Sequence, residues 1–294
     1  MGATIAFIGF GEAGQAIAQG WGPRLCASVA VFDQKTGGPE AEAIRVACAA
    51  TGVVCADDRG AALAGARYVL CLVTADQAVA AARQAARHLA PGAIWYDGNS
   101  CAPDSKREAA AIIGAAGGVY VDLAVMAPIH PRLHRTPMLV AGPQEATGFL
   151  DMMGMDYRWR GPEIGSASAV KMIRSVMIKG IEALTAECFL AAGRAGVLED
   201  VLASLQSSDP QTDWRGRADY NLERMMQHGQ RRAAEMREVA ATVVALGLPD
   251  RMAGATVGWQ QHIGDLALRG REGGLEERLA MVEKALCSLE TSVI

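Results

Sequence analysis

Six residues near the N-terminus, Gly9-Phe10-Gly11-Glu12-Ala13-Gly14, have the spacing of a phosphate cradle. They follow an apolar stretch, Thr4–Gly9, that reads as a strand, and they open a stretch, Ala13–Trp21, that reads as a helix. Gly9 permits a tight turn. Gly11 lets the backbone approach a pyrophosphate, and Gly14 allows close helix–strand packing. Phe10, Glu12 and Ala13 complete the turn, and the helix start offers N–H groups to phosphate oxygens. A second strand, Ser28–Asp33, ends in an acid about 20 residues downstream of the last glycine. A carboxylate there accepts hydrogen bonds from adenosine ribose hydroxyls, which favours NAD. Lys35 follows closely enough to meet a 2′-phosphate, so NADP stays open.

The elements that position this loop alternate. Further strands are predicted at Arg67–Val73, Ala93–Asp97, Val119–Val125, Pro137–Gly142 and Asp156–Arg160, with helical segments such as Glu40–Ala50 and Asp76–Leu89 between them. Strand and helix in turn mean a mostly parallel sheet with helices on both faces. From Ile164 onward the strand signal stops. Helices are predicted at Ser166–Arg194, Val197–Gln206, Ala218–Leu246, Asp250–Leu268 and Leu275–Leu289. The expected fold is an α/β Rossmann-type dinucleotide-binding domain, residues 1–163, followed by an all-α domain, residues 164–294, joined by a long helix.

Composition sets the limits. The 294 residues are 51% hydrophobic and 20% charged, and Lys plus Arg (28) against Asp plus Glu (32) leaves a net charge of −4. No basic block points to nucleic acid or an anionic membrane. No apolar run reaches ~18 residues. The N-terminus lacks the positive region of a secretory signal, and Ala6 breaks the myristoylation pattern. Seven scattered cysteines without a CxxC suit buried thiols in a reducing cytoplasm, so a cytoplasmic protein is expected. No His/Cys/Asp grouping has metal spacing. The Met residues at 152, 153, 155, 225 and 226 read as core or interface filler, and Trp159, Trp214 and Trp259 as packing residues.

In the helix Ser166–Arg194, Lys171, Arg174, Ser175, Ile178, Lys179 and Glu182 share one stripe at 100° per residue, with Ile173, Val176, Met177, Gly180 and Leu184 opposite. Such a stripe lines a cleft or is an ordinary solvated face.

Four stretches in order, Gly9–Gly14, Asp97-Gly98-Asn99-Ser100, Asp122-Leu123-Ala124-Val125-Met126 and Gly165-Ser166-Ala167-Ser168-Ala169-Val170-Lys171, carry a resemblance over nearly the whole chain. It resembles the β-hydroxyacid dehydrogenase superfamily, the group of 3-hydroxyisobutyrate and 6-phosphogluconate dehydrogenases. The runs Lys179–Leu184 and His228–Met236 place it nearest a divergent phosphogluconate-dehydrogenase-like branch. The resemblance implies an NAD(P)-dependent oxidoreductase that moves a hydride between nicotinamide and a small 3-hydroxy acid, with decarboxylation as a following step where the product is a β-keto acid. It implies a homodimer and a small anionic substrate. It assigns Lys171 as general acid–base, which needs an amine pKa lowered toward ~7–8 by burial or a nearby cation; Arg174 and Lys179 are the expected cations. Val73, Thr74 and Asn99 become cofactor contacts, and Ser100 a substrate contact; the bland reading of Asn99-Ser100 is a turn capping the helix begun at Pro103.

Two departures matter. Ser175 replaces the family's Asn. Met126-Ala127-Pro128 replaces a Ser-Gly-Gly that binds the substrate carboxylate, and Pro128 has no N–H. His130, in the basic run His130–Arg135, and Met126 at the bend are therefore candidate substrate contacts, with a surface loop as the alternative. Ser175, Lys179, His228 and Arg231 are further candidates, against a charged face with i,i+4 ion pairs. Two other functions share the scaffold: an imine or carbonyl reductase, against which Lys171 argues, and a non-catalytic NAD(P)-binding protein.

Overall fold

The computed structural model describes residues 4–268 and 273–291. The chain divides into two compact units, residues 1–172 and 173–294.

In the first unit an eight-stranded sheet runs β3-β2-β1-β4-β5-β6-β7-β8. The strands are β1 (Ile5–Ile8), β2 (Val29–Phe32), β3 (Val54–Cys55), β4 (Tyr68–Cys71), β5 (Ile94–Asp97), β6 (Val119–Val125), β7 (Met138–Ala141) and β8 (Tyr157–Trp159). β1 to β6 are parallel; β7 is antiparallel to β6, and β8 is parallel to β7. All four residues of β1 are buried, as a central parallel strand covered on both faces requires. One face is covered by α1 (Glu12–Trp21), α3 (Ala41–Thr51) and α7 (Gly148–Met152), with Phe7, Ile17, Ile44 and Phe149 in the core. The small helix α2 (Pro23–Cys26) lies between α1 and β2 in sequence. The other face takes α4 (Arg59–Leu63), α5 (Ala78–Ala86) and α6 (Pro103–Ala115), through Ile8, Leu63, Ala82, Trp95 and Ile113.

The second unit is helical among its described residues. It holds most of α8 (Ser166–Arg194) and all of α9 (Leu198–Ser208), α10 (Trp214–Ala245), α11 (Arg251–Asp265) and α12 (Leu275–Thr291). Phe189, Leu222, Met225, Met226, Ile263 and Val282 form its core, with Trp214 and Trp259 against it. Gly229 and Gly264 let α10 and α11 touch backbone to backbone: a Cβ on Gly229 would lie 2.5 Å from the Gln260 carbonyl oxygen.

The sequence missed β3, whose two residues carry no alternation to read. It began α10 four residues late, because Asp213 caps the helix through the Gly216 N–H. Met152 is exposed, outside the core, and Cys287 is an exposed thiol where buried thiols were expected. No described helix is long and apolar enough to cross a membrane.

Candidate active site

The glycine loop is built by sterics. Gly9 has φ +87°, and a Cβ there would meet the Leu72 carbonyl oxygen at 2.5 Å. Its N–H donates to the Phe32 carbonyl, tying the turn to β2. A Cβ on Gly14 would press on the Phe10 ring at 3.1 Å and the Gly9 carbonyl at 3.3 Å, so Gly14 packs on the loop itself. A Cβ on Gly11 would meet nothing within 4 Å. Gly11 and Glu12 are exposed, Ala13 is half-buried, and no side chain caps α1. This open helix start fits a pyrophosphate. Phe10 is fully buried.

Asp33 is buried and already engaged. Its Oδ2 accepts from the Phe10 N–H (2.7 Å) and its Oδ1 from the Lys35 N–H (2.9 Å). It therefore clamps the loop in place, a role beyond the ribose contact expected from sequence. The Lys35 ammonium is held by Glu40 at 2.6 Å.

At the ends of β4 and β5, Asn99 does internal work. Its Oδ1 accepts from the Val73 N–H (2.6 Å), and its amide donates to the Cys71 sulfur (3.3 Å). Asn99 is buried, so the structure makes it the tie between two strand ends. Val73 lies against Gly9, and Thr74 is exposed beside it.

Lys171 reaches the loop after β5. Its Nζ donates to Ser100 Oγ at 2.7 Å. Both ends of that contact are anchored by a buried charge cluster that the sequence reading missed. Lys106 is fully buried; its ammonium donates to the Asp97 carbonyl (2.7 Å) and Oδ1 (2.9 Å) and lies 3.5 Å from Asp122 Oδ1. Tyr120 donates to Asp97 Oδ2. Asp122 Oδ2 accepts from the Gly165 and Ser168 N–H groups and the Ser168 hydroxyl, holding the start of α8. Burial pushes Lys106 down, but Asp97, Cys101 and Asp122 outweigh it and hold the amine above the ordinary lysine range. Asp97 at the end of β5 and Asp122 in the middle of β6 were the available signal.

Other candidates are placed differently. The Met126 N–H donates to the Pro137 carbonyl, and its side chain packs against Ala124, Leu139, Ala141 and Ala167. Met126 is half-buried there. His130 is exposed. The basic run folds back on α1, where His134 abuts Gly20 in a cavity of about 430 Å³ with Thr4, Ile5 and Ser28. Those residues lie at the starts of β1 and β2, so His134 stands at the opposite end of these strands from the glycine loop.

Within the second unit, Lys179 donates to Ser175 and pairs with Glu235 at 2.9 Å, and Glu235 also takes Arg231 at 3.2 Å. Lys179 is thus matched by a carboxylate. Arg174 is exposed. Glu182 accepts from Arg232 and Gln260; burial pushes its carboxyl up despite those partners. His228 is half-buried on the same helix as Arg231. Among the described residues no group of acids, cysteines and histidines is arranged for a metal.

Residues 4–153 match the family described as the NAD binding domain of 6-phosphogluconate dehydrogenase. The chain belongs to the β-hydroxyacid dehydrogenase superfamily. It is thereby placed among NAD(P)-dependent oxidoreductases. Residues 192–263 match a domain of unknown function, DUF1932. A conserved hypothetical protein from Sinorhizobium meliloti 1021 is 40% identical, over 97% of both chains, with a TM-score of 0.71. MTH1747, a conserved protein of unknown function described as structurally similar to 3-hydroxyacid dehydrogenases, is 30% identical over 89% of this chain and 96% of its own, TM-score 0.64. A Mycobacterium tuberculosis 3-hydroxyisobutyrate dehydrogenase with L-serine, 16% identical over 97% and 99%, TM-score 0.69, shares the fold.

Proposed function

We propose that this β-hydroxyacid dehydrogenase relative oxidises a small 3-hydroxy acid, with Lys171 as general acid–base. The observation that carries the reading is the contact of Lys171 Nζ with Ser100 Oγ at 2.7 Å, beyond the end of a parallel strand of the sheet whose first strand opens the glycine loop. Ligands of open α/β sheets bind outside those strand ends. When bound, nicotinamide supplies the two-electron hydride acceptor.

The chain's own part is a proton transfer. Neutral Lys171 takes the substrate hydroxyl proton at Nζ as the carbonyl forms, and Ser100 fixes the amine's position. Where the product is a β-keto acid, the resulting ammonium donates to the carbonyl oxygen as carbon dioxide leaves. The substrate's carboxylate needs another holder than in relatives with Ser-Gly-Gly, because the Met126 N–H is spent on Pro137 and Pro128 has none. The homodimer is supported by α8, which exposes Ile173 (51%), Met177 (64%) and Leu184 (62%).

Thermal shifts with NAD⁺, NADH, NADP⁺ and NADPH test the first step. A nucleotide at ~100 times its Kd adds about 2.7 kcal/mol. A raised melting temperature, followed by turnover of 3-hydroxy acids, is the expected result. No shift with any of the four contradicts the reading.

A further inference from the structure

We infer that Arg59 forms the subsite for the 2′-phosphate of NADP(H), so that this chain selects the phosphorylated dinucleotide. The inference rests on the cofactor reading above and concerns its adenosine end.

Arg59 opens α4, and its guanidinium carbon lies 4.8 Å from the centroid of the Phe32 ring. Phe32 is the last residue of β2. It pairs with Ile8, its carbonyl takes the Gly9 N–H, and Asp33 follows it. The cation therefore stands beside the glycine loop, where the adenosine half of a dinucleotide binds. Stacking on Phe32 fixes the plane of the guanidinium. Its Nε is buried with no hydrogen-bond partner, and among the described residues no carboxylate pairs with it. Burial and the like charge of Arg87 bear on it instead. The half-buried guanidinium lacks a carboxylate partner, and a phosphate is the anion its planar fork suits best.

The other charged groups at this end are committed. Both Asp33 oxygens accept backbone N–H groups that hold the loop. Lys35 is paired with Glu40. Arg59 is the cation there whose donor lacks a partner. The acid that reads as a mark of NAD acts here as a loop clamp, and the phosphate contact comes from a different helix.

The test is the dissociation constants of NADPH and NADH for the full-length protein, by calorimetry, for wild type, Arg59→Gln and Arg59→Lys. Wild type is expected to bind NADPH at least about tenfold tighter. Arg59→Gln should bring the two within about twofold by weakening NADPH alone, and Arg59→Lys should fall between. The NADPH preference should shrink as salt rises. Equal affinities in wild type overturn the inference while leaving the oxidoreductase reading intact. So does an equal loss of both nucleotides in Arg59→Gln, which would make Arg59 a support for the fold or the adenine. Failure of every nucleotide to bind overturns both readings.

Discussion

The lysine sealed between Asp97 and Asp122 shows how much of the site depends on charges that never touch substrate. Lys106 neutralises the acids that hold Ser100's strand end and the start of the Lys171 helix. Replacing it with Met leaves two buried carboxylates facing each other, and urea unfolding should show a loss of ~3–5 kcal/mol. Asp33→Ala strands the Phe10 and Lys35 N–H groups; the expected cost is ~1–3 kcal/mol, with both NADH and NADPH binding weakened, measured by unfolding and calorimetry. His134 gives a pH signature. Burial, with Arg135 beside it, holds its imidazole below the ordinary value of 6.5. The unfolded chain then binds that proton more tightly, so the contribution is complete above 6.5 and is lost as pH falls through the lower folded value. Melting curves of wild type and His134→Gln from about pH 7.5 to about pH 5 should show wild type losing ground to the variant. At this scale the glycine loop was legible, because a phosphate cradle is written in consecutive residues. Lys106 was not: its neighbours Asp104, Arg107 and Glu108 read as a solvated helix, and its partners lie on two separate strands.

Elements were legible in proportion to the local pattern that makes them. β6 and α8 have the bounds their sequences predict, Val119–Val125 and Ser166–Arg194. The side that the α8 stripe faces was left open between a cleft and a solvated face. Periodicity finds a stripe but not the side it faces, and here Ser175, Lys179 and Glu182 are buried while Ile173, Met177 and Leu184 are exposed. The reason is tertiary: Arg232 and Glu235 of α10 and Gln260 of α11 supply inward partners for the polar stripe. The same two helices meet at Gly229 and Gly264, a contact with no sequence period. Gly229→Ala puts a Cβ against the Gln260 carbonyl and the Gly264 Cα at 2.6 Å. Thermal unfolding should show a loss of at least ~1–3 kcal/mol as α10 and α11 are forced apart.

For the whole molecule, the family supplies an NAD(P)-binding domain, and the residues beyond it decide what is done with the cofactor. The exposed apolar face of α8 makes oligomeric state a property to test. Met177→Glu with Leu184→Glu should convert a dimer to monomer in sedimentation if a second copy covers that face. The proposed role of Lys171 is to take the hydroxyl proton while hydride leaves the carbon that bears that hydroxyl. It is tested most directly by following reduced nicotinamide absorbance with a panel of 3-hydroxy acids, for wild type and Lys171→Met, alongside nucleotide affinity. The expectation is turnover by wild type, a ~10²–10⁴-fold fall in kcat for the variant, and nucleotide binding within about threefold of wild type. A Lys171→Met variant that turns over its substrate as fast as wild type would contradict it.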